Sequence, residues 1–104
     1  MRSAADLKKE IESRLKAYLK RDKNGIRHEL LTIFVNTKSL SIARTHELLA
    51  AKFRVSIQSV ASMVGTIASK IGILRIRKDK DNATAIYELK DQYADLVRRM
   101  VGVV

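Results

Sequence analysis

Hydrophobic residues near the start of the chain recur at helical spacing. They are mostly three or four positions apart, which places them on one face of a helix: Leu7, Ile11, Leu15, Tyr18 and Leu19. Ser3 is suited to begin this helix, and the Asn24-Gly25 pair is a strong signal for its end. The pattern therefore predicts an N-terminal amphipathic helix within residues 1–23, with lysines on its outer face.

Three shorter helices are predicted between residues 26 and 71. Apolar residues at helical spacing indicate helices over 26–36 and 42–53, and Leu40 between them suits a very short strand. A third helix is indicated over 56–71, with Ile57 on its predicted inner face and with a serine at the start and a glycine after the end as the two caps. Together these segments form a predicted three-helix core, residues 26–71.

Beyond Gly72 the period of the hydrophobic pattern changes from about 3.6 residues to two. Two alternating segments separated by a polar tip predict a β-hairpin over residues 73–89. We expect Leu74 and Ile76 to cover the helices and the neighbouring arginines to project from the opposite face. A final apolar pattern predicts a C-terminal helix over residues 91–104.

The order of these elements predicts the fold class. Three consecutive helices with a short strand after the first, followed by a hairpin, form a winged helix-turn-helix in which residues 73–89 are the wing. The prediction is therefore a mainly α fold with a small β-hairpin, namely a winged helix-turn-helix with additional N- and C-terminal helices. A length of 104 residues is that of one ordinary domain, so we expect a single domain over residues 1–104.

Three segments carry a resemblance to a known family. They are residues 21–27 (RDKNGIR), residues 55–65 (VSIQSVASMVG) and residues 72–75 (GILR). In these segments the chain resembles a small archaeal family of winged-helix proteins whose activity is uncharacterised. The resemblance covers nearly the whole chain and implies the winged-helix fold. It implies no activity, because the family has no assigned activity, and the matching positions are mostly core and cap positions.

Composition excludes several classes of protein. The 46% of hydrophobic and 31% of charged residues are typical of a soluble globular protein. The absence of cysteine excludes disulfides, thiol nucleophiles and zinc ribbons. The apolar runs are far shorter than the roughly 20 residues that span a bilayer, and the first residues lack the apolar stretch of a secretion signal. We therefore expect a cytoplasmic protein with no membrane partner.

The charge of the chain gives the first indication of function. Twenty-one lysines and arginines against eleven carboxylates leave a net charge of +10 and a pI near 10.2. Such an excess favours a polyanionic partner, most often nucleic acid, because cations that neutralise phosphates release counterions. The predicted helix over residues 56–71 contains no aspartate or glutamate, which fits the same kind of partner.

The predicted fold suggests how DNA would be bound. In the helix-turn-helix mode the recognition helix, here residues 56–71, enters the major groove. Its polar face supplies an amide that can pair with adenine and hydroxyls that can bond bases or phosphates: Gln58, Ser59, Ser62 and Thr66. The cations expected on phosphates are Lys38, Arg44, Lys52 and Arg54 and, on the wing, Arg75, Arg77, Lys78 and Lys80. The sequence thus predicts a protein that binds double-stranded DNA, with transcriptional regulation as the specific hypothesis.

Other functions remain alternatives. Small residues on the polar face of the same helix would let another helix approach closely, so the winged helix could serve as a protein–protein interaction module. A sequence-independent binder of DNA or RNA also fits the charge. The apolar C-terminal helix either packs on the N-terminal helix of the same chain or packs against a second copy of the chain. We expect the second arrangement, a homodimer formed through the N-terminal helix, the C-terminal helix or both.

Catalytic chemistry is not expected. His28 and His46 are each followed by a glutamate and two leucines, but a zinc-binding HExxH helix needs a second histidine four residues later, and neither has one. The four glycines are scattered, so the sequence has no glycine-rich loop that could hold phosphates. We therefore predict no enzyme activity, no cofactor and no bound metal.

Overall fold

The computed structural model describes residues 3–78 and 84–102 of the chain. The helices are α1 (Ala4–Lys20), α2 (Ile26–Thr37), α3 (Ile42–Ala50), α4 (Ile57–Thr66) and α5 (Asp91–Val101). The strands are β1 (Ser39–Ser41), β2 (Leu74–Lys78) and β3 (Ala85–Leu89). The predicted fold class is confirmed: the protein is mainly helical with a small antiparallel sheet, compatible with a winged helix that carries extra helices at both ends.

Serine side chains cap the N-terminal ends of three helices. Ser3, Ser41 and Ser56 each have an extended backbone, and each side-chain oxygen accepts a hydrogen bond of 3.1–3.2 Å from the backbone N–H three residues later. These bonds satisfy N–H groups that have no partner within the helix. The predicted helix starts are therefore confirmed, although α3 ends three residues earlier than predicted, at Ala50.

An aspartate with a nearly covered side chain organises the turn before α2. Asp22 Oδ1 accepts the Gly25 N–H at 3.1 Å. Its Oδ2 accepts the His28 N–H at 3.1 Å and lies 3.0 Å from His28 Nδ1. The Asp22 side chain is only 3% exposed, and Gly25 adopts φ 88°, a left-handed conformation that favours glycine. Local side-chain hydrogen bonds therefore fix the break between α1 and α2.

The predicted helix over residues 56–71 is α-helical only in its first part. After α4, residues Ile67–Ile71 form a π-helical turn, and the Gly72 N–H donates to the Ile67 carbonyl at 2.9 Å. Gly72 has φ 87° and ends the helix, as predicted. Both isoleucines of the turn are buried, so the wider turn keeps its apolar side chains in the core.

The sheet has the order β1-β3-β2, with both pairs antiparallel. Tyr87 of β3 lies opposite Leu40 on one side and opposite Ile76 on the other. One face of the sheet buries Leu40, Leu74 and Leu89 against the helices. The predicted hairpin and the very short strand at Leu40 therefore belong to a single sheet.

Three large apolar residues that the periodicity predicted to face inward are exposed, and for them the prediction is wrong. Leu7 is 39% exposed, Ile57 is 42% exposed and Ile76 is 55% exposed. Leu7 and Ile57 lie in the first turn of their helices, and Ile76 lies farther out along the hairpin than the buried Leu74. The hydrophobic period continues to the ends of these elements, but the core does not.

One hydrophobic cluster joins the helices and the sheet, with Phe34 of α2 fully buried within it. The predicted N- and C-terminal helices contribute directly, because α1 and α5 pack against each other within one chain. Their buried residues are Ile11, Leu15 and Leu19 of α1 and Tyr93, Leu96 and Val97 of α5. These apolar faces therefore already have partners in the same chain. The homodimer that was expected through them stays a prediction.

None of the helices in the described part of the chain is both long and apolar enough to cross a membrane.

Candidate nucleic-acid interface

The outward face of α4 is small and polar. Val60 and Val64 are fully buried on one side of the helix. At about 100° per residue, Gln58, Ser62 and Gly65 lie near the centre of the opposite side. Gln58 and Ser62 are exposed, and α4 with its π-helical turn carries no carboxylate. This face can therefore approach a polyanion without like-charge repulsion from its own side chains.

The four side chains predicted to contact bases are not equally available. The Thr66 hydroxyl donates to the Ser62 carbonyl at 3.0 Å, and Ser59 Oγ accepts the Ser56 hydroxyl at 3.0 Å. Gln58 and Ser62, in contrast, make no side-chain hydrogen bond within residues 3–78 and 84–102. Their donors and acceptors are the ones most available to a partner.

Ile57 is a candidate contact that the sequence pattern misassigned to the core. It is exposed in the first turn of α4, directly beside Gln58, and Ala61 is exposed one turn later. Apolar side chains in the major groove contact the thymine methyl group, and glutamine pairs with adenine. The sequence did contain a signal for this exposure. Ile57 directly follows the capping serine and so lies in the first turn of the helix, which extends beyond the part that packs on the core.

Four of the predicted phosphate-binding cations already face carboxylates. The pairs are Lys38–Asp91, Arg44–Glu47 (2.9 Å), Lys52–Glu29 (3.4 Å) and Arg77–Glu88 (3.1 Å). All four cations are more than half exposed. Exposed pairs of this kind contribute at most about 1 kcal/mol, so phosphates can compete for the cations. Each contact would nevertheless be weaker than one from an unpaired cation.

Lys38 occupies an unusual place in the chain. It links α2 to β1 with φ 71° and ψ −50°, a backbone conformation that residues other than glycine rarely adopt. Its carbonyl accepts the Leu89 N–H at 2.9 Å, and its ammonium group binds Asp91. The hydrogen bond and the charge of Lys38, with a smaller effect of Arg75, lower the pKa of Asp91. Lys38 and Arg75 therefore lie near one carboxylate, apart from α4.

Three predicted phosphate contacts are exposed and have no ion pair in the described part of the chain: Arg54, Arg75 and Lys78. Arg54 lies in the link between α3 and α4, next to the start of the candidate recognition helix. Arg75 and Lys78 lie on β2 of the predicted wing. The last predicted wing cation, Lys80, lies outside the described residues.

The two histidines have structural partners in different places. His46 Nε2 donates to the Val55 carbonyl at 3.0 Å and so holds the link between α3 and α4. His28 contacts Asp22 at the start of α2. Across the two described segments, no three histidine or carboxylate side chains come together in a group that could hold a metal ion.

A substitution at Gly65 tests whether the outward face of α4 meets a partner. A Cβ at this position would meet no atom within 4 Å, so nothing within the described chain requires glycine there. Glycine inside a helix costs about 0.5–1 kcal/mol relative to alanine. We expect Gly65→Ala to raise the free energy of unfolding in urea by up to about 1 kcal/mol while weakening duplex binding, because the added methyl group occupies the approach surface. Unchanged duplex binding would place the partner elsewhere.

Comparison with known proteins shows the family but no activity. No solved structure matches the chain. A protein from the archaeon Archaeoglobus fulgidus, described as "Uncharacterized protein", is 42% identical over 93 residues, which cover 88% of this chain and 93% of the relative. A family model matches residues 15–97, from the middle of α1 into α5. The chain therefore belongs to the family described as "Protein of unknown function (DUF2551)".

Proposed function

We propose that this protein binds double-stranded DNA as a winged helix, with α4 as the recognition helix in the major groove and the β2–β3 hairpin as the wing. The observation that carries the proposal is the outward face of α4. It is free of carboxylates, and its central side chains, Gln58 and Ser62, have no hydrogen-bond partner within the described residues. A recognition helix needs such side chains to contact base edges.

The charge distribution supports the same function. Most carboxylates of the described residues are engaged by a nearby cation or histidine: Glu12, Asp22, Glu29, Glu47, Glu88, Asp91 and Asp95. The chain as a whole carries a net charge of +10. The surplus cations therefore set a positive potential at the surface, which steers polyanions toward the protein.

The side chains at the start of α4 favour sequence-specific binding. Ile57 and Gln58 are consecutive exposed residues in the first turn of α4, one apolar and one with an amide. Because thymine presents a methyl group and adenine a donor–acceptor pair, these are side-chain types that contact A·T base pairs in the major groove. Transcriptional regulation is the specific form of the proposed function, and selection from random duplexes tests it, since a regulator enriches a consensus.

Fluorescence anisotropy with a duplex between about 50 and 200 mM salt tests DNA binding directly. We expect a Kd of about 1 μM or tighter at the lowest salt and a steep loss of affinity as salt rises. Arg75→Ala combined with Lys78→Ala is expected to reduce the log–log salt slope by up to about two units. Lys8→Ala with Lys9→Ala removes the same charge from α1 and is the control. Millimolar affinity that does not change with salt would contradict the proposal.

A protein-interaction module is the second candidate, and the exposed isoleucines favour it. Ile57 and Ile76 are large apolar side chains at the surface, on the predicted recognition helix and the predicted wing. Exposed apolar groups of this kind can mark protein contacts. Homodimerisation would be one such contact, and light scattering of the purified protein measures it. If Ile57→Ser abolishes a dimer but leaves duplex affinity unchanged, the second candidate is favoured.

A further inference from the structure

A groove of about 230 Å³ lies between the end of α1, the start of α2 and the π-helical turn. Its polar and charged lining residues are Arg14, Tyr18, Arg21, Arg27, Thr66 and Lys70. Ala17 and Ile71 complete an otherwise apolar wall. We propose that this groove binds a small organic anion, specifically a carboxylate attached to an aromatic or similarly compact apolar group. The proposal does not depend on DNA binding.

The charged residues that line the groove all have one sign. Four of its lining residues are cations and none is a carboxylate. Arg21 and Lys70 are exposed and form no ion pair within the described residues. An anion in the groove would therefore meet converging positive charge without competition from a carboxylate in its wall.

Arg27 is held in a defined orientation at the groove. Its guanidinium lies 4.3 Å from the centroid of the Tyr18 ring, and its Nη1 donates to the Tyr18 carbonyl at 2.8 Å. The guanidinium has five N–H donors, so several stay available. Arg27 is half-buried and makes no ion pair in the described part of the chain. The Asp22 carboxylate, which is close by in sequence, is already occupied by His28 and Gly25.

Tyr18 supports Arg27 at the groove through its ring and its backbone carbonyl. Its hydroxyl is buried and has no hydrogen-bond partner within the described residues. Burial raises the pKa of Tyr18, while Arg27 lowers it and Asp22 raises it, so the hydroxyl stays protonated at neutral pH. Because the hydroxyl is covered from solvent, Tyr18 contributes to ligand binding by orienting Arg27.

The size of the groove limits how much of a ligand its wall can contact. An apolar cavity of about 150 Å³ in another protein binds benzene. The groove is larger at about 230 Å³, which leaves room for one ring and a carboxylate. A nucleotide would not be enclosed, because sites for larger ligands measure about 300–1,000 Å³. A benzoate-sized acid combines the charge and the apolar surface that the wall presents.

Titration of the labelled full chain with benzoate, followed by two-dimensional amide NMR, tests the proposal. We expect the largest shifts in the backbone amides of Arg21, Arg27, Thr66 and Lys70. Benzamide has nearly the same shape without the charge, so we expect it to bind at least about tenfold more weakly. Equal binding of the two compounds, or shifts concentrated away from the groove, would overturn the proposal.

Variants separate a defined site from general attraction by a basic protein. Arg21→Met combined with Lys70→Met is expected to weaken benzoate binding at least about tenfold. Lys9→Met with Lys20→Met removes the same charge from α1 outside the groove and should change the affinity for benzoate less than twofold. Equal losses in the two variants would mean that only net charge matters, and the proposal would be wrong.

A duplex titration in the same spectra distinguishes this proposal from the proposed function. If the duplex shifts the groove amides and benzoate does not, the cations are phosphate contacts, and only the small-anion site is refuted. If benzoate binds in the groove and the duplex does not bind at all, the site stands and DNA binding is refuted.

Discussion

Replacing Ser62 with glutamate is expected to lower duplex affinity at least about tenfold, because the new carboxylate would face the phosphates. Two like charges a few ångströms apart at a protein surface repel by about 1–4 kcal/mol, and 1.4 kcal/mol corresponds to tenfold in affinity. Ser62 is exposed and its side chain makes no hydrogen bond within the described residues, so the fold should be unaffected. Anisotropy at about 100 mM salt measures the loss, and circular dichroism checks the fold.

Ser13→Glu is the matched control for this variant. Ser13 is also exposed, but it lies on α1 rather than on α4, and the substitution adds the same charge. We expect it to weaken duplex binding less than threefold, because a distant surface charge is screened by salt. Equal losses for the two variants would show that only net charge governs binding. No loss for Ser62→Glu would exclude the outward face of α4 as the interface.

A large loss of stability is expected from Asp22→Ala. The variant removes the acceptor of the Gly25 and His28 N–H groups and the contact with the His28 ring. Loss of a helix cap costs about 0.5–2 kcal/mol, and hydrogen bonds to a charged group contribute about 1.5–3 kcal/mol. We therefore expect the free energy of unfolding in urea at pH 7 to fall by about 2 kcal/mol.

Asp95→Ala provides the comparison for this effect. Asp95 contacts Arg98 at 3.3 Å in α5, but its side chain is 88% exposed. Exposed ion pairs contribute little, so we expect a change below about 0.5 kcal/mol. If the two aspartate variants lost similar stability, the hydrogen bonds of Asp22 would not be what holds the start of α2.

The contribution of Asp22 also predicts a pH dependence. Burial alone would raise the pKa of Asp22, but hydrogen bonds from the His28 side chain and from the backbone of the turn lower it below its usual 3.8. The unfolded chain therefore binds a proton more readily than the folded one. The stabilisation is complete above about pH 4 and is lost as the pH falls through the lowered value. We expect the free energy of unfolding in urea to fall less between pH 7 and pH 3 for Asp22→Ala than for the natural chain.

Features that depend on short stretches of sequence were predictable. Ser3, Ser41 and Ser56 begin their helices because a side-chain oxygen reaches an N–H only three residues away. Gly25 and Gly72 end or separate helices because both adopt positive φ. Periodicity also identified the two strands of the hairpin, since alternation of side chains is a property of the strand itself.

Features that depend on distant residues were not predictable in the same way. The pairs Lys38–Asp91 and Lys52–Glu29 join residues 53 and 23 positions apart, and these pairs occupy cations that had been assigned to phosphates. The exposure of Ile57 and Ile76 depends on where the other elements stop covering them. The basic groove was missed because its cations come from three separate elements, and only the fold brings them together.

The π-helical turn at Ile67–Ile71 has a consequence for insertions and deletions. Its hydrogen bond, from Gly72 to Ile67, spans five residues, one more than in an α-helix. The wider turn takes up one extra residue within a single turn of the helix, so deleting Ser69 would let the segment close as ordinary α-helix while the hairpin leaves it in nearly the same direction. Deleting a residue from the regular part of α4 would instead turn the following chain by about 100° around the helix axis. The direction of β2 relative to α4 therefore tolerates the loss of a residue in the π-helical turn but not in the α-helix before it.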